Sequence, residues 1–438
     1  YYFFILHHSF INNPEMKLAQ NLLYKMQRFW KLLGPGLVTG SSDDDPSGIA
    51  TYSQAGAQFG LSTLWTALIT FPLMASIQEM CARIGLVTSQ GLTGTLKTYY
   101  SKPVLYFMVA FSFPAIVLNI GADIAGMGAV GNLIFPHVPA VVFSIAFTAI
   151  LLVVIIFLPY RKIASVLKYL CLVLMVYFIV PFLNEQDWVN ILKKAIIPTV
   201  EFSREFIIML VAILGTTISP YLFFWQATME VEEVKHKENQ LVIDKSIIQD
   251  MKEDVYFGMF FSNLVMFFII LTTGTVLFNA GIHQIETVEQ AAEALRPLAG
   301  DFAYLLFALG IIGTGFLAIP VLCGSLSYII SETFGWEEGL DKKFHEAKGF
   351  YVAIIISLLL GLLINSIGIS PVKALFYSAV LYGVTAPVLI AIILHIANNK
   401  AIMGKFTNSR HSNFLGFTTL ILMTLAAGVM VFSQFGDN

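Results

Sequence analysis

The sequence predicts an all-α membrane protein of eleven spanning helices, built as a five-plus-five inverted repeat with one further helix. Three observations predict it. Of 438 residues, 57% are hydrophobic and 12% charged, against about 25% charged in a soluble domain. Apolar runs of spanning length recur along the whole chain. Two of these runs, the first and the sixth, are interrupted by proline among polar residues. A discontinuous helix opening each group of five is the expected mark of an inverted repeat, with the binding site between the two breaks.

The runs lie near residues 33–58, 61–86, 103–130, 138–159 and 163–183, which with the approach to the first span form the first repeat, 31–183. Runs near 205–227, 255–280, 300–330, 350–368 and 373–397 form the second repeat, 205–397, and 413–434 adds the eleventh helix. Residues 1–30 read as a cytoplasmic segment. Residues 1–15 begin without Met and resemble upstream sequence, which makes Met16 the expected native start. Lys25, Arg28, Lys31, Arg83, Arg161, Lys162, Lys400, Lys405 and Arg410 fall beside one set of loops. Only Lys193, Lys194, Arg204, Arg296 and Lys373 fall on the other side. The positive-inside rule then puts the N-terminus in the cytoplasm and the C-terminus outside a cell membrane. The longest cytoplasmic loop, residues 230–254, mixes both signs and reads as solvated amphipathic structure. Cys81, Cys171 and Cys323 stand far apart in apolar runs and read as small core residues.

The first break reads Ser41-Ser42-Asp43-Asp44-Asp45-Pro46-Ser47-Gly48. Charge at membrane depth costs several kcal/mol, so it is tolerated where it faces protein or a polar cavity. The second break reads Gly215-Thr216-Thr217-Ile218-Ser219-Pro220. A proline kink without function is the plain alternative for either one alone. Two breaks at matching positions, one of them acidic, point to a site. Asp43 and Asp45 stand about 200° apart on a helical wheel, so all three acids cannot face one cavity while a helix continues. Asp45, at the break, is the expected ligand. Asp44 is expected on the path or in support of the site, and Asp43 in a hydrogen bond to a neighbouring helix or a water-filled pocket.

Further motifs fall in a fixed order. Leu33-Gly34-Pro35-Gly36 leads into Asp45-Pro46-Ser47-Gly48; residues 78–85 read QEMCARIG, followed by Val87-Thr88; Ala122-Asp123-Ile124-Ala125-Gly126 lies on the third span. Ala386-Pro387 stands in the tenth span, with Ile402-Met403-Gly404, Asn408 and Arg410 after it. Together with the second break, these resemble the NRAMP family of divalent-metal transporters over nearly the whole chain. The resemblance implies a LeuT-like fold and alternating access. It also implies a metal held by Asp45, by the position of Gly48, by the carbonyl of Thr216 and by the position of Ser219.

The chain departs from that family at telling places. Gly48 replaces the first-helix Asn and Ser219 the sixth-helix Met. Tyr221 and Gln226 replace two histidines, and Gly126 replaces the acid of the third-helix motif. The pattern is similar to the NRAMP-related magnesium-transporter branch, which also lacks the Met. A thioether favours transition metals over hard ions. Without it the set is Asp45, hydroxyls such as Ser219 or Ser47, carbonyls and water, which suits a hard, partly hydrated cation, magnesium or manganese. Proton coupling is expected to be weak or absent, since Gly126 and Tyr221 hold the relay positions and only Asp45 and Asp123 remain as carriers.

Other polar residues take structural readings first. Glu79 and Arg83 pair at four-residue spacing as a structural or gating ion pair. Asn119 lies one turn before Asp123 and shares its face. Asn263 is expected in an interhelical bond, with a secondary reading on the path.

The net charge of −3 offers no footprint for nucleic acid. No nucleophile–base pair or phosphate loop points to an enzyme. No cofactor is expected beyond the transported ion. The expected partners are that ion and the lipid bilayer, and the chain is expected to act as a monomer. Competing readings are a proton-coupled manganese or iron symporter, a non-transporting sensor that keeps the fold, and an organic-substrate carrier. The three acids beside the first break argue against the last.

Overall fold

The computed structural model of the chain describes residues 34–159, 162, 174–183, 186–236, 245–365 and 368–435. Among the described residues every regular element is helical. The first predicted span is two half-helices, α1 (Pro35–Asp43) and α2 (Pro46–Phe59), each opened by a proline whose missing N–H costs a first turn nothing. The chain continues through α3 (Trp65–Thr88), a short α4 (Leu92–Tyr99), α5 (Lys102–Ile134) and α6 (Ala140–Phe157). It then runs through α7 (Val176–Leu183) and α8 (Trp188–Ile196). The sixth predicted span is again divided, into α9 (Arg204–Thr217) and α10 (Pro220–His236). Beyond it come α11 (Lys245–Val276), two short helices α12 (Val288–Ala292) and α13 (Arg296–Ala299), and α14 (Ala303–Phe334). The chain closes with α15 (Lys348–Ile364), α16 (Pro371–Asn398), a turn of helix α17 (Lys400–Met403) and α18 (Arg410–Phe435).

Seven helical stretches among the described residues are long and apolar enough to cross a bilayer. The two halves of the first break are each too short to qualify, and α3 carries Gln78, Glu79 and Arg83 in its C-terminal half. Exposed Val141, Ile145 and Phe157 on α6 and Phe417, Leu425 and Phe432 on α18 are the residues a lipid-facing helix needs. Packing runs between the two halves of the chain: α2 lies on α11, α10 on α3, and α5 against α14 and α16.

Several boundaries correct the sequence reading. The seventh predicted span is helical at least from Lys245, ten residues before the apolar run, and its first turns bury Ile248, Met251 and Asp254. Glu230 and Asp254, placed in a solvated loop, are buried within helices; residues 237–244 between them lie outside the described residues. The apolar test also missed α4 and α8, which are too short to span. Residues 1–33, with Met16, Lys25, Arg28 and Lys31, lie outside the described residues, as do Arg161, Cys171 and most of the fifth predicted span. Cys81 and Cys323 are free and buried.

Candidate cation site between two broken helices

At the first break the helix ends where Asp44 leaves helical geometry (φ −82°, ψ 51°). Asp45 is extended (φ −70°, ψ 171°), as a residue before proline prefers. Its Oδ1 accepts the Gly48 backbone N–H at 2.7 Å, which makes Asp45 the N-cap of α2. Its Oδ2 accepts from Asn119 Nδ2 at 2.9 Å. Asn119 Oδ1 in turn accepts from Ser378 Oγ at 2.8 Å. Ser47 Oγ lies 3.0 Å from Ser378 Oγ and donates to the Leu375 carbonyl at 2.8 Å. Asp45 and Ser47 are therefore tied to α5 and α16.

The other two acids face the opposite way, toward α11. Ser262 Oγ stands 2.8 Å from Asp43 Oδ2 and 3.4 Å from Asp44 Oδ1. Asp43 is 1% exposed, and its Oδ1 has no hydrogen-bond partner. Asp123 is fully buried on α5, with the Ser47 backbone amide beside its carboxylate.

The second break carries hydroxyls and no charge. Ser219 Oγ donates back to the Thr216 carbonyl, the backbone acceptor expected to serve an ion. Ser219 also lies beside the Asp43 carboxylate. Thr217 Oγ1 donates to Ile213 O at 2.7 Å and stands 3.0 Å from Tyr52 Oη on α2. A Cβ on Gly48 would lie 3.4 Å from Thr216 Oγ1 and 3.2 Å from the Asp43 carbonyl oxygen, so the two breaks face each other across Gly48.

Tyr221 and Gln226 fasten α10 to α1. Tyr221 Oη donates to Ser42 O at 2.8 Å, satisfying a carbonyl that the end of α1 leaves open. Thr39 Oγ1 donates to Gln226 Oε1 at 2.5 Å, and Gln226 Nε2 donates to Glu230 Oε1 at 2.8 Å. Asn263 makes the interhelical bond read from the sequence: it accepts from Thr70 Oγ1 at 2.7 Å and donates to the Met259 carbonyl at 2.9 Å. It sits among Thr70, Met74 and Met259, with no hydrogen bond to either break. Glu79 and Arg83 form their pair at 2.9 Å, well buried. Arg83 continues to the Phe406 carbonyl at 2.5 Å and Asn408 Oδ1 at 2.6 Å, and Lys252 reaches Glu79 at 3.4 Å. That pair belongs to a clamp joining α3, α11 and the segment before α18.

Three contributors escaped the sequence reading: Ser262, Ser378 and Asp254. Asp254 accepts the backbone N–H groups of Gly34, Gly36 and Leu37 at 2.8, 2.6 and 3.3 Å, capping α1 from another helix. Asp254, Gly258 and Ser262 are spaced by four along α11 and so share one face. That spacing was the available signal. Gly40 packs on Gly258 so closely that a Cβ there would overlap backbone. No three His, Cys, Asp or Glu side chains converge as a metal cluster among the described residues. An ion here would be held by one acid with hydroxyl, carbonyl and water oxygens.

Two facing helix breaks in a buried polar core, inside an all-helical multi-pass membrane protein, define the LeuT-like class. The chain belongs to the natural resistance-associated macrophage protein-like (Nramp) family, whose profile matches residues 36–433. It is not an enzyme. It is similar to the divalent metal cation transporter MntH of Caldanaerobacter subterraneus, 21% identical over 412 residues, 93% of this chain and 94% of that protein. The MntH of Mycobacterium leprae is 23% identical over 427 residues, 95% of each. Among solved structures, the Eremococcus coleocola manganese transporter superposes with a TM-score of 0.73 at 18% identity, covering 94% of this chain and 89% of that one. Mhp1, a nucleobase-cation-symport-1 family transporter caught closed, gives 0.58 at 12% identity, covering 92% and 93%.

Proposed function

We propose that the chain carries a hard divalent cation, magnesium or manganese, across a cell membrane by alternating access, with weak or absent proton coupling. The observation that carries the reading is the composition of the facing breaks: acid on one, hydroxyl and carbonyl oxygens on the other, and Ser219 at the position of the family's soft thioether. An all-oxygen set suits hard ions that dehydrate reluctantly. The curated relatives are named divalent metal cation transporters, which agrees with the sign and class of the cargo.

Against proton coupling stands the position of the lost third-helix acid. A Cβ on Gly126 would meet Leu375 Cδ1 at 3.1 Å, so an apolar side chain fills the space of a relay carboxylate. The eleven-helix, five-plus-five arrangement is part of the same proposal. It is supported by the crossed packing of α2 on α11 and of α10 on α3, in which a half of each broken helix lies on the second helix of the other repeat. A cytoplasmic N-terminus, an outer C-terminus and a monomeric state belong to it too.

A second reading, a proton-coupled manganese or iron symporter, draws on one observation. Met266 Sδ lies 3.6 Å from Thr217 Oγ1, which keeps a thioether beside the second break.

Proteoliposomes separate these readings. The protein is expected to give saturable magnesium or manganese uptake with no matching acidification of the lumen. Strong preference for cadmium or iron over magnesium, or metal-driven proton influx at fixed stoichiometry, would overturn the leading reading in favour of the second. Absence of any divalent flux or binding would leave the non-transporting sensor.

A further inference from the structure

We propose that a second cation site lies at the face where α3, α10 and α14 end, and that it takes a divalent ion with its water shell intact. The proposal rests on the divalent-cation reading and adds regulation to it: the released ion returns to hold the carrier still. A cavity of about 300 Å³ lies between α4, α10 and the last turn of α14. In the orientation proposed above, this is the cytoplasmic face. Glu232, Glu332 and Glu338 line it, with Lys97 the one basic residue among the described lining. Three carboxylates against one ammonium leave two negative charges, the complement of one dication. Two helix ends add to that sign. α3 finishes at Thr88 and α14 at Phe334, beside Ser89 and Gly335 of the cavity wall, so their negative ends meet it. Lys97 already answers this field, its Nζ donating to the Glu332 carbonyl at 3.0 Å. Glu232 lies twelve residues past Pro220, ~18 Å along α10, which separates this cavity from the site between the breaks.

The wall is built for such a guest. Glu332 Oε2 accepts the Gly94 N–H at 2.7 Å, which fixes its carboxylate at the start of α4. A Cβ on Gly91 would overlap Glu332 Oε1 and Thr228 Oγ1, so the glycine leaves room for both oxygens. Ser331 lines the same wall, is fully buried, and its hydroxyl has no hydrogen-bond partner. A buried hydroxyl left unmet costs about 1–3 kcal/mol, and a water of the ion's shell would meet it. An anion finds no comparable hold, because Glu332 already takes both the Gly94 amide and the Lys97 ammonium. A magnesium ion with six waters, at metal–oxygen distances of about 2.1 Å, fills a sphere of roughly 3.5 Å radius, ~180 Å³. It fits the cavity whole. The carboxylates and hydroxyls then bond its waters without displacing them, which suits an ion that dehydrates reluctantly. The site also joins parts that alternating access must shift against one another. α4 follows the second span of the first repeat, whereas Glu232 stands on α10 and Glu332 on α14. α10 packs on both α4 and α14, and Tyr221 and Gln226 couple it to α1. A dication bonded through its waters to Glu232 on one side and to Glu332 and Glu338 on the other holds α10 in place. Transport therefore slows as the ion accumulates on this face.

The test uses the full chain with hexaamminecobalt(III) as probe. Its ammines match a hydrated magnesium ion in size and hydrogen bonding and do not exchange. It therefore fits this cavity and cannot serve a site that binds bare metal. Titration calorimetry in detergent is expected to show probe binding that weakens about tenfold in Glu232→Gln and in Glu338→Gln, each the loss of one partner charge. Binding should persist in Asp45→Ala. In proteoliposomes carrying the probe on both faces, Mn²⁺ uptake by wild type is expected to fall about fivefold or more. The ratio of rates with and without probe should return toward unity in the two Gln variants. Glu232→Lys reads in the opposite sense: it tethers a cation in the cavity, so uptake should be slow without the probe and indifferent to it. Thermal unfolding checks that each variant is folded. Unchanged probe affinity in both folded Gln variants, or its loss in folded Asp45→Ala, overturns the site. Wild-type uptake that ignores the probe, or fast and probe-sensitive uptake in Glu232→Lys, overturns the feedback role. A wild type that moves no divalent ion overturns the reading beneath, and the probe titration still decides whether the cavity binds a hydrated cation.

Discussion

The two breaks differ in what holds them. The first is held by other helices: Asp254 caps the start of α1, Ser262 takes the acids at its end, and Asn119 takes Asp45. The second leans mainly on its own backbone, with Ser219 on the Thr216 carbonyl and Thr217 on Ile213, and Tyr52 of α2 adds a contact to Thr217. Three carboxylates buried at one break need fixed partners, because an unpaired buried charge is costly. Neutral hydroxyls can bond their own backbone and release it at little cost. On the proposed reading, the first break fixes the sign of the guest, and the second adapts to its size and water shell. The conformational consequence is equally one-sided, since α1 is bolted to α11 at both ends and moves only if those bonds break or α11 travels with it.

The largest expected effect tests that bolt. Asp254→Ala strips the acceptor from three backbone N–H groups of α1. A cost of about 3 kcal/mol follows from orphaned donors and a lost cap. A cysteine placed at Val38 should then react faster with a water-soluble maleimide, while one at Leu214, on α9, keeps its wild-type rate. Equal acceleration at both sites, or at neither, would erase the distinction between an externally held break and one that leans mainly on its own backbone.

That prediction also marks where the sequence stopped being legible. The spans, both breaks and the Glu79–Arg83 pair could be read because apolar length, proline and four-residue spacing are local signals. The partners of Asp43, Asp44 and Asp45 could not. A helical wheel showed that the acids diverge, but not that Ser262 waits on one side and Asn119 on the other. Those partners lie 74 residues from Asp45 and 219 from Asp43. By sequence, Asp254 reads as the end of a solvated loop because residues 230–254 mix both signs of charge. Its burial comes from the α1 terminus docking onto it, a tertiary event with no trace in local composition.

A smaller effect probes the neutral break. Ser219→Met restores a thioether at a position that is 2% exposed. If this break tunes the kind of ion, cadmium should gain about tenfold over manganese in competitive binding, ~1.4 kcal/mol. Thermal unfolding of the variant checks that the larger side chain is accommodated. An unchanged preference in a folded protein would mean that selectivity is set at the acidic break after all.

The smallest effect addresses a bond that joins the end of α1 to the start of α10. Tyr221 Oη donates to the Ser42 carbonyl at 2.8 Å, so a residue just past the second break satisfies the end of the first half-helix. Tyr221→Phe keeps the ring, which packs 5.8 Å from that of Tyr382, and removes only the hydroxyl. The loss should be about 1 kcal/mol, the net worth of one such bond, read as a modest drop in thermal stability. Mn²⁺ affinity should change little, because the hydroxyl serves a carbonyl of α1 and not the ion. A large fall in Mn²⁺ affinity with stability intact would instead put Tyr221 in the ion's oxygen shell. The second break would then hold its guest with a phenol as well as with Ser219 and Thr216, and would no longer lean mainly on its own backbone.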